Sequence, residues 1–288
     1  MRAAIVAIVK SEAPYLLEWV AFHRVVGIRT FLVANNGGDD GTSELLELMA
    51  RAGYVFHFDF VGRSGVQREA YDTVIPHVKN FAELAVIIDA DEFIRPLGAR
   101  RVDTALSGMF ADPSVSAVGI NWAIYGSSGR IKSGRDLVTK RFSARAEQDF
   151  HVNRHVKTAI RVDRFVSCEN SHFMRTSGGR YVHTNGEDVE WHPKHGVGVA
   201  SRCHWQGVRL DHFVVKSLEE FNSIKLPRGD VGLPPDDPRF LRTSRFFPMH
   251  DRNEVHDPMP SWLIWMTRLE IARMRSRLFR KKHGLFTK

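Results

Sequence analysis

Cysteine is almost absent: 288 residues carry only Cys168 and Cys203, too few for a disulfide framework or a four-ligand zinc site. Both are expected as reduced thiols. Long hydrophobic runs are also missing, since stretches such as 84–88 fall far short of the roughly 20 apolar residues that cross a bilayer. Residues 1–9 carry no cleavage pattern of a secretory leader, and a cytoplasmic protein is expected. No Gly-rich, basic triphosphate loop stands near the start, which counts against a nucleotidyltransferase. Acid is scarce only locally. The net charge is +8, but residues 262–288 hold eight Lys or Arg against the single Glu270, leaving 33 basic and 32 acidic residues elsewhere. A nearly neutral body without an aromatic and basic platform excludes nucleic acid as the expected partner.

What is present is a repeating pattern. The run 3–9 is continuous, apolar and rich in β-branched residues, as a strand buried on both faces of a parallel sheet should be. Ser11 with Glu12 and Pro14 opens a helix that Gly27 stops. A strand over 30–34 precedes the turn-forming 35–41, and Thr42 or Ser43 caps a helix that runs to Ala52. A strand over 54–60, a helix over 66–79 and a strand over 85–88 complete a βαβ series. Such repetition predicts a doubly wound α/β sheet, whose ligands gather at the carboxyl ends of its strands. Past residue 115 the pattern loosens, with strands expected at 117–122, 138–142, 158–161 and 208–215. No linker interrupts it. One domain over 1–261 is expected, with a nucleotide-binding half over 1–114 and an acceptor-side half over 115–261, followed by a basic amphipathic helix over 262–288.

The last apolar strand of the series runs straight into Asp89-Ala90-Asp91-Glu92. Two carboxylates one residue apart can share a hard divalent cation, Mn2+ or Mg2+, which also takes diphosphate oxygens. Burying them unpaired would cost several kcal/mol, so a ligand is expected there. A cation so placed neutralises charge on a departing nucleoside diphosphate.

Five ordered blocks extend this reading: VKSEAPYLLEW at 9–19, NNGGDDGT at 35–42, IDADEF at 88–93, NWAIYGSSG at 121–129, and DHFVVKSLEEF at 211–221 with Lys225 and Arg228-Gly229 beyond it. Together they resemble the family-2-like glycosyltransferases of the GT-A fold, within them the branch related to glycosyltransferase family 92, over about residues 3–230. The resemblance implies a metal-dependent hexosyltransferase of GT-A-like fold acting on a nucleotide-sugar such as a UDP-hexose. It assigns the metal to Asp89 and Asp91, and base and ribose contacts to Glu12 and the loop of Asn35. Ser11 stands where the family usually has Asn, and Asn35 where it has Asp.

The resemblance also implies a late His that completes the metal shell, which falls on His212 at the end of an apolar strand, a role that neutral imidazole fills. An inverting transfer needs a proton acceptor. His172, which lies roughly where the resemblance places the catalytic base, is the candidate, with Glu169, Glu187 and Asp188 as alternatives. Lys10, Arg141, Lys157 and Lys216 are the candidate phosphate contacts, and Asp40, Gln67, Tyr71 and Ala90 the further nucleotide-side positions. Trp122 offers a flat surface for a sugar, and Ser127 with Ser128 a flexible polar turn beside it. The basic tail suits either packing on the body or contact with an anionic membrane that carries a lipid-linked acceptor, the other acceptor class being a glycan. Besides the enzyme, a non-catalytic nucleotide-sugar-binding protein fits the same residues.

Overall fold

The computed structural model describes residues 1–98, 101–230, 232–243 and 245–283. Its centre is the first apolar run. Strand β1 (Ala3–Val9) is buried throughout, with Ala3, Ile5, Ala7 and Val9 entering one apolar layer and Ala4, Val6 and Ile8 the other. This is the two-sided burial that a continuous β-branched-rich run implies. Beside it lie β2 (Thr30–Asn35), β3 (Phe56–Asp59) and β4 (Leu84–Ile87), all parallel to β1. Five more strands complete one sheet: β5 (Glu92–Pro96), β6 (Val115–Ile124), β7 (Val156–Arg161), β8 (Arg180–His183) and β9 (Val208–His212). The order is β3-β2-β1-β4-β7-β6-β9-β5, with β8 beside β6. Only β5 and β7 run against the rest. The expected doubly wound mixed α/β sheet is therefore present, and the carboxyl ends of β1, β4, β6 and β9 share an edge.

Helices cover both faces. On one side lie α1 (Ala13–Val25), α2 (Thr42–Arg51) and α4 (Val102–Met109), on the other α3 (Gln67–Val74). The long helix α5 (Ser261–Lys282) joins the first group through Leu263, Ile271, Met274 and Leu278, packing on α1 and α2. It is part of the main core rather than an appendage, and the expected positions 284–288 lie outside the described residues. The face that packs is not the one that carries Trp265 and Phe279. Trp265 and Phe279 remain 60% and 58% exposed, because the side chains between them supply the buried ridge.

Two elements differ from expectation. The helix over 66–79 is α-helical only to Val74 and continues as a 3-10 turn, Ile75–Asn80. Pro76 lacks the amide proton and its ring crowds the preceding turn. The strand expected at 138–142 is a single helical turn, Val138–Arg141. Buried Glu18 accepts the amides of Val138 and Thr139 at 2.7 and 3.0 Å and the Thr139 hydroxyl at 2.8 Å. A carboxylate at a helix start satisfies amides that the turn itself cannot.

The two faces of α5 predict opposite responses. Met274→Ala, a fully buried position, should cost about 2–5 kcal/mol, whereas Phe279→Ala should stay within about 0.5 kcal/mol. Urea denaturation of both variants checks this; equal losses would contradict the packing.

Candidate functional site

The site begins where β4 ends. Ile88 is the last apolar residue, and the chain turns at once, with the Glu92 amide donating to the Asp89 carbonyl at 3.1 Å. The turn is fastened from three sides. Trp19 Nε1 donates to the Glu92 carbonyl at 2.9 Å, the Phe213 amide donates to the Asp91 carbonyl at 2.9 Å, and Trp122 Nε1 donates to Glu92 Oε1 at 2.7 Å. His23 anchors the strand beyond, its Nδ1 bonded to the Trp19 carbonyl at 2.8 Å and its Nε2 accepting the Ile94 amide at 3.1 Å.

Asp89, Ala90 and Asp91 face a cavity of about 630 Å³, a size suited to a small-molecule ligand. Lys157 Nζ lies 2.8 Å from Asp89 Oδ2 and 3.8 Å from Glu92 Oε1, and Tyr71 donates to Asp89 Oδ1 at 3.4 Å. Asp91 pairs with Lys225 through Oδ2, and its Oδ1 lies 3.5 Å from His212 Nε2. Burial opposes ionisation of Asp91, but Lys225 and then His212 overcome it and hold the carboxyl well below the usual range. Glu92 moves the other way, raised by burial that Lys157 only partly offsets.

Several expected residues meet here. Lys10, Glu12, Gln67, Ala90, Trp122, His172 and His212 line the cavity with the two aspartates. Tyr71 reaches it only through Asp89. Among the described residues no three His, Cys, Asp or Glu side chains converge as a cation site. The expected triad is thus not assembled: Asp91 and His212 approach each other while Lys157 holds Asp89. Of the expected set, Asp91 and His212 are the two whose side chains approach each other, an oxygen and an imidazole donor of the kinds a divalent transition cation accepts.

Other expected residues are committed elsewhere. Asn35 donates to Ser43 Oγ and accepts the Gly37 amide, each at 3.0 Å. Asp40 accepts the Ala13 amide at 3.0 Å and the Thr42 hydroxyl at 2.6 Å, so it joins two loops instead of lining the cavity. Ser128 Oγ accepts the amides of Ser143 and Ala144, and the Ser127 amide goes to Asp251. Neither serine lines the cavity. Glu169 is paired with Arg175 near the surface and also lies outside it, as do Glu187 and Asp188, so the carboxylate alternatives for the base fail on position. Arg141 makes a two-point pair with Glu220 at 2.7 and 2.8 Å. Lys216 sits 4.2 Å over the Tyr15 ring, in a small recess beside the main cavity.

Trp122 is not an open platform. His155 stacks on it at 4.9 Å and 19°, and His172 and His212 approach at 5.0 and 4.4 Å. His172 Nδ1 lies 3.0 Å from the Val156 carbonyl. Because a carbonyl only accepts, that nitrogen carries the proton and Nε2 keeps its lone pair. Burial holds His172 well below the ordinary imidazole range.

Sequence reasoning missed His155, Arg242 and His250, all of which line the cavity. Only Lys225 and Arg228 carried a signal, their place just after the last block.

The fold and site define a class: a single-domain α/β protein with an acidic turn at the carboxyl edge of its sheet, facing a nucleotide-sized cavity. Among known proteins, a glycosyltransferase family 92 protein of Oryza sativa subsp. japonica is 25% identical over 176 residues, covering 60% of this chain and 30% of that one. The chain thus spans about a third of that relative's length. No family model matches. Solved structures that overlap in part include S. aureus TarS 1–349 with UDP and with UDP-GlcNAc. Identities are 11% and 13%, TM-scores 0.38 for both, and coverage 56% and 64% of this chain and 47% and 58% of theirs.

Burial pushes His23 down to about 3, and His183 and His250 to about 4. Their folded values lie below the unfolded value near 6.5, so unfolding takes up protons. Their contribution is complete above that pH and is lost as pH falls from about 6.5 toward 4, by about 1.4 kcal/mol per pH unit for each imidazole. Urea midpoints at pH 7.5 and 5.5 should therefore differ strongly, and identical midpoints would contradict it.

Proposed function

We propose that the protein is a glycosyltransferase that takes a nucleotide-sugar, UDP-hexose being the donor class we expect, and passes the sugar to a glycan or lipid-linked acceptor. The carrying observation is the acidic turn 89–91 at the sheet edge, facing a cavity of about 630 Å³ whose wall includes both buried cations and imidazoles. Similarity to a family 92 protein supports the reaction class.

Asp91 and His212 are the residues that would hold Mn2+ or Mg2+. When bound, the cation neutralises charge on the departing diphosphate. Lys157 and Tyr71 hold Asp89 beside them. Transfer with inversion places the proton acceptor across the sugar from the leaving group. His172 is our candidate, since its Nδ1 is occupied by Val156 and its depressed pKa keeps the imidazole neutral, with Nε2 able to accept from the acceptor hydroxyl.

The outward face of α5 supports a lipid-linked acceptor. Trp265 and Phe279 are exposed there among Arg268, Arg275 and Arg280, the combination that lies on anionic membranes. Because the opposite face is core, point variants test this better than deleting the helix. The protein should pellet with phosphatidylserine vesicles at low salt, and Trp265→Ala with Phe279→Ala should reduce pelleting several-fold. Pelleting that neither salt nor the substitutions alters would exclude this docking face.

A panel of nucleotide-sugars with manganese tests the main reading. The true donor should stabilise the fold by about 2.7 kcal/mol at a hundredfold excess over Kd and be hydrolysed slowly. Asp91→Ala should abolish both effects. A panel in which no nucleotide-sugar shifts the melting temperature would sink the proposal.

A further inference from the structure

One cationic part of the cavity wall comes from the segment that follows β9. After β9 the chain enters a capping box: the Ser217 hydroxyl accepts the Glu220 amide, and the Glu220 carboxylate accepts the Ser217 amide. Glu220 is locked in turn by Arg141 and by the Tyr15 hydroxyl at 3.0 Å. A π-helical turn, Phe221–Lys225, follows. Such turns are rare and concentrate at functional sites. This one delivers the Lys225 ammonium to the cavity, and one helical turn later Arg228 joins it.

The two guanidiniums of the segment are held in different ways. Arg228 is buried and uses Nη1 on Glu12 and on the Lys10 carbonyl; its Nε is buried without a partner. Arg242 donates through Nη1 to the Gly229 and Lys225 carbonyls at 2.8 and 3.4 Å and to no carboxylate among the described residues. Gly229 fixes the bend between them at φ 72°, where a Cβ would lie 2.3 Å from the Phe240 ring.

We propose that Lys225, Arg228 and Arg242 form a binding site for two linked phosphates. An orphaned buried N–H and a guanidinium bonded only to carbonyls are the donors that an anion completes, and planar guanidinium forks suit phosphate oxygens. A single weak anion would satisfy Arg242 alone. Drawing Lys225 and Arg228 away from Asp91 and Glu12 requires a ligand with several charges, and a diphosphate has them. This assignment rests on the nucleotide-sugar reading and adds the residues that receive the leaving group.

The probe is inorganic pyrophosphate, titrated calorimetrically into the full chain in the presence of EDTA. Pyrophosphate should bind more tightly than phosphate. Lys225→Met and Arg242→Met should each weaken it by about tenfold, while Lys140→Met, an exposed control, should leave it unchanged. Arg242 is only half-buried, so its variant carries the test if Lys225→Met does not fold. Absence of pyrophosphate binding, or equal affinity in the folded variants, overturns the site. The two readings separate cleanly. Pyrophosphate binding that the variants lose, with no nucleotide-sugar turned over, leaves this site standing and removes the transferase. Turnover with unchanged affinity for nucleoside diphosphate in the variants does the reverse.

Discussion

Everything at the sheet edge depends on Lys157. Its ammonium is fully buried at the start of β7, between Asp89 and Glu92. Desolvation works against its charge, yet the two carboxylates outweigh that and raise its pKa. Removing one partner of such a buried pair leaves an uncompensated charge at a cost of about 3–5 kcal/mol, so the turn 89–92 and this lysine stand or fall together. An antiparallel β7 is what places the lysine there. A parallel strand at that position would start at the opposite edge of the sheet.

The molecule also stores local strain at three residues of its loops. Ser11, Ser128 and Lys216 adopt positive φ values of 52°, 51° and 55°, a conformation unfavourable for residues other than glycine. Each lies in one of the ordered sequence blocks and is overruled by its surroundings. Ser11 donates its amide to the Gly37 carbonyl at 3.1 Å, and a Cβ at Gly38 would sit 2.7 Å from Ser11 Oγ. The loops after β1 and β2 are therefore interlocked, and Asn35 and Asp40 serve that interlock. Loop cohesion, rather than open ligand contact, accounts for their polarity here.

The segment after β9 gives the site an electrostatic asymmetry. Imidazoles that burial keeps neutral surround Trp122, while the basic side chains of Lys225, Arg228 and Arg242 gather across the cavity wall. Neutral acceptors beside fixed positive charge suit a ligand with a hydroxyl-rich part and an anionic part. Lys225 illustrates the tension: burial first, then Arg228 and Arg242 nearby, lower its pKa to about 8, although Asp91 opposes the shift.

The sequence alone determined the β1–α1–β2–α2 order, the burial of β1 and β4, and the acidic turn that follows β4, because apolar periodicity and turn residues act over short distances. It also marked His172 and His212, which do face the cavity. It did not reveal that Lys157 would hold Asp89, that residues 138–141 would coil under Glu18, or that α5 would bury Leu263 and Met274 while exposing Trp265. Those outcomes depend on partners tens to more than a hundred residues apart. Charge pairing and capping in a low-dielectric interior are decided by which groups the fold brings within about 3 Å, and that information exists only once the sheet has closed.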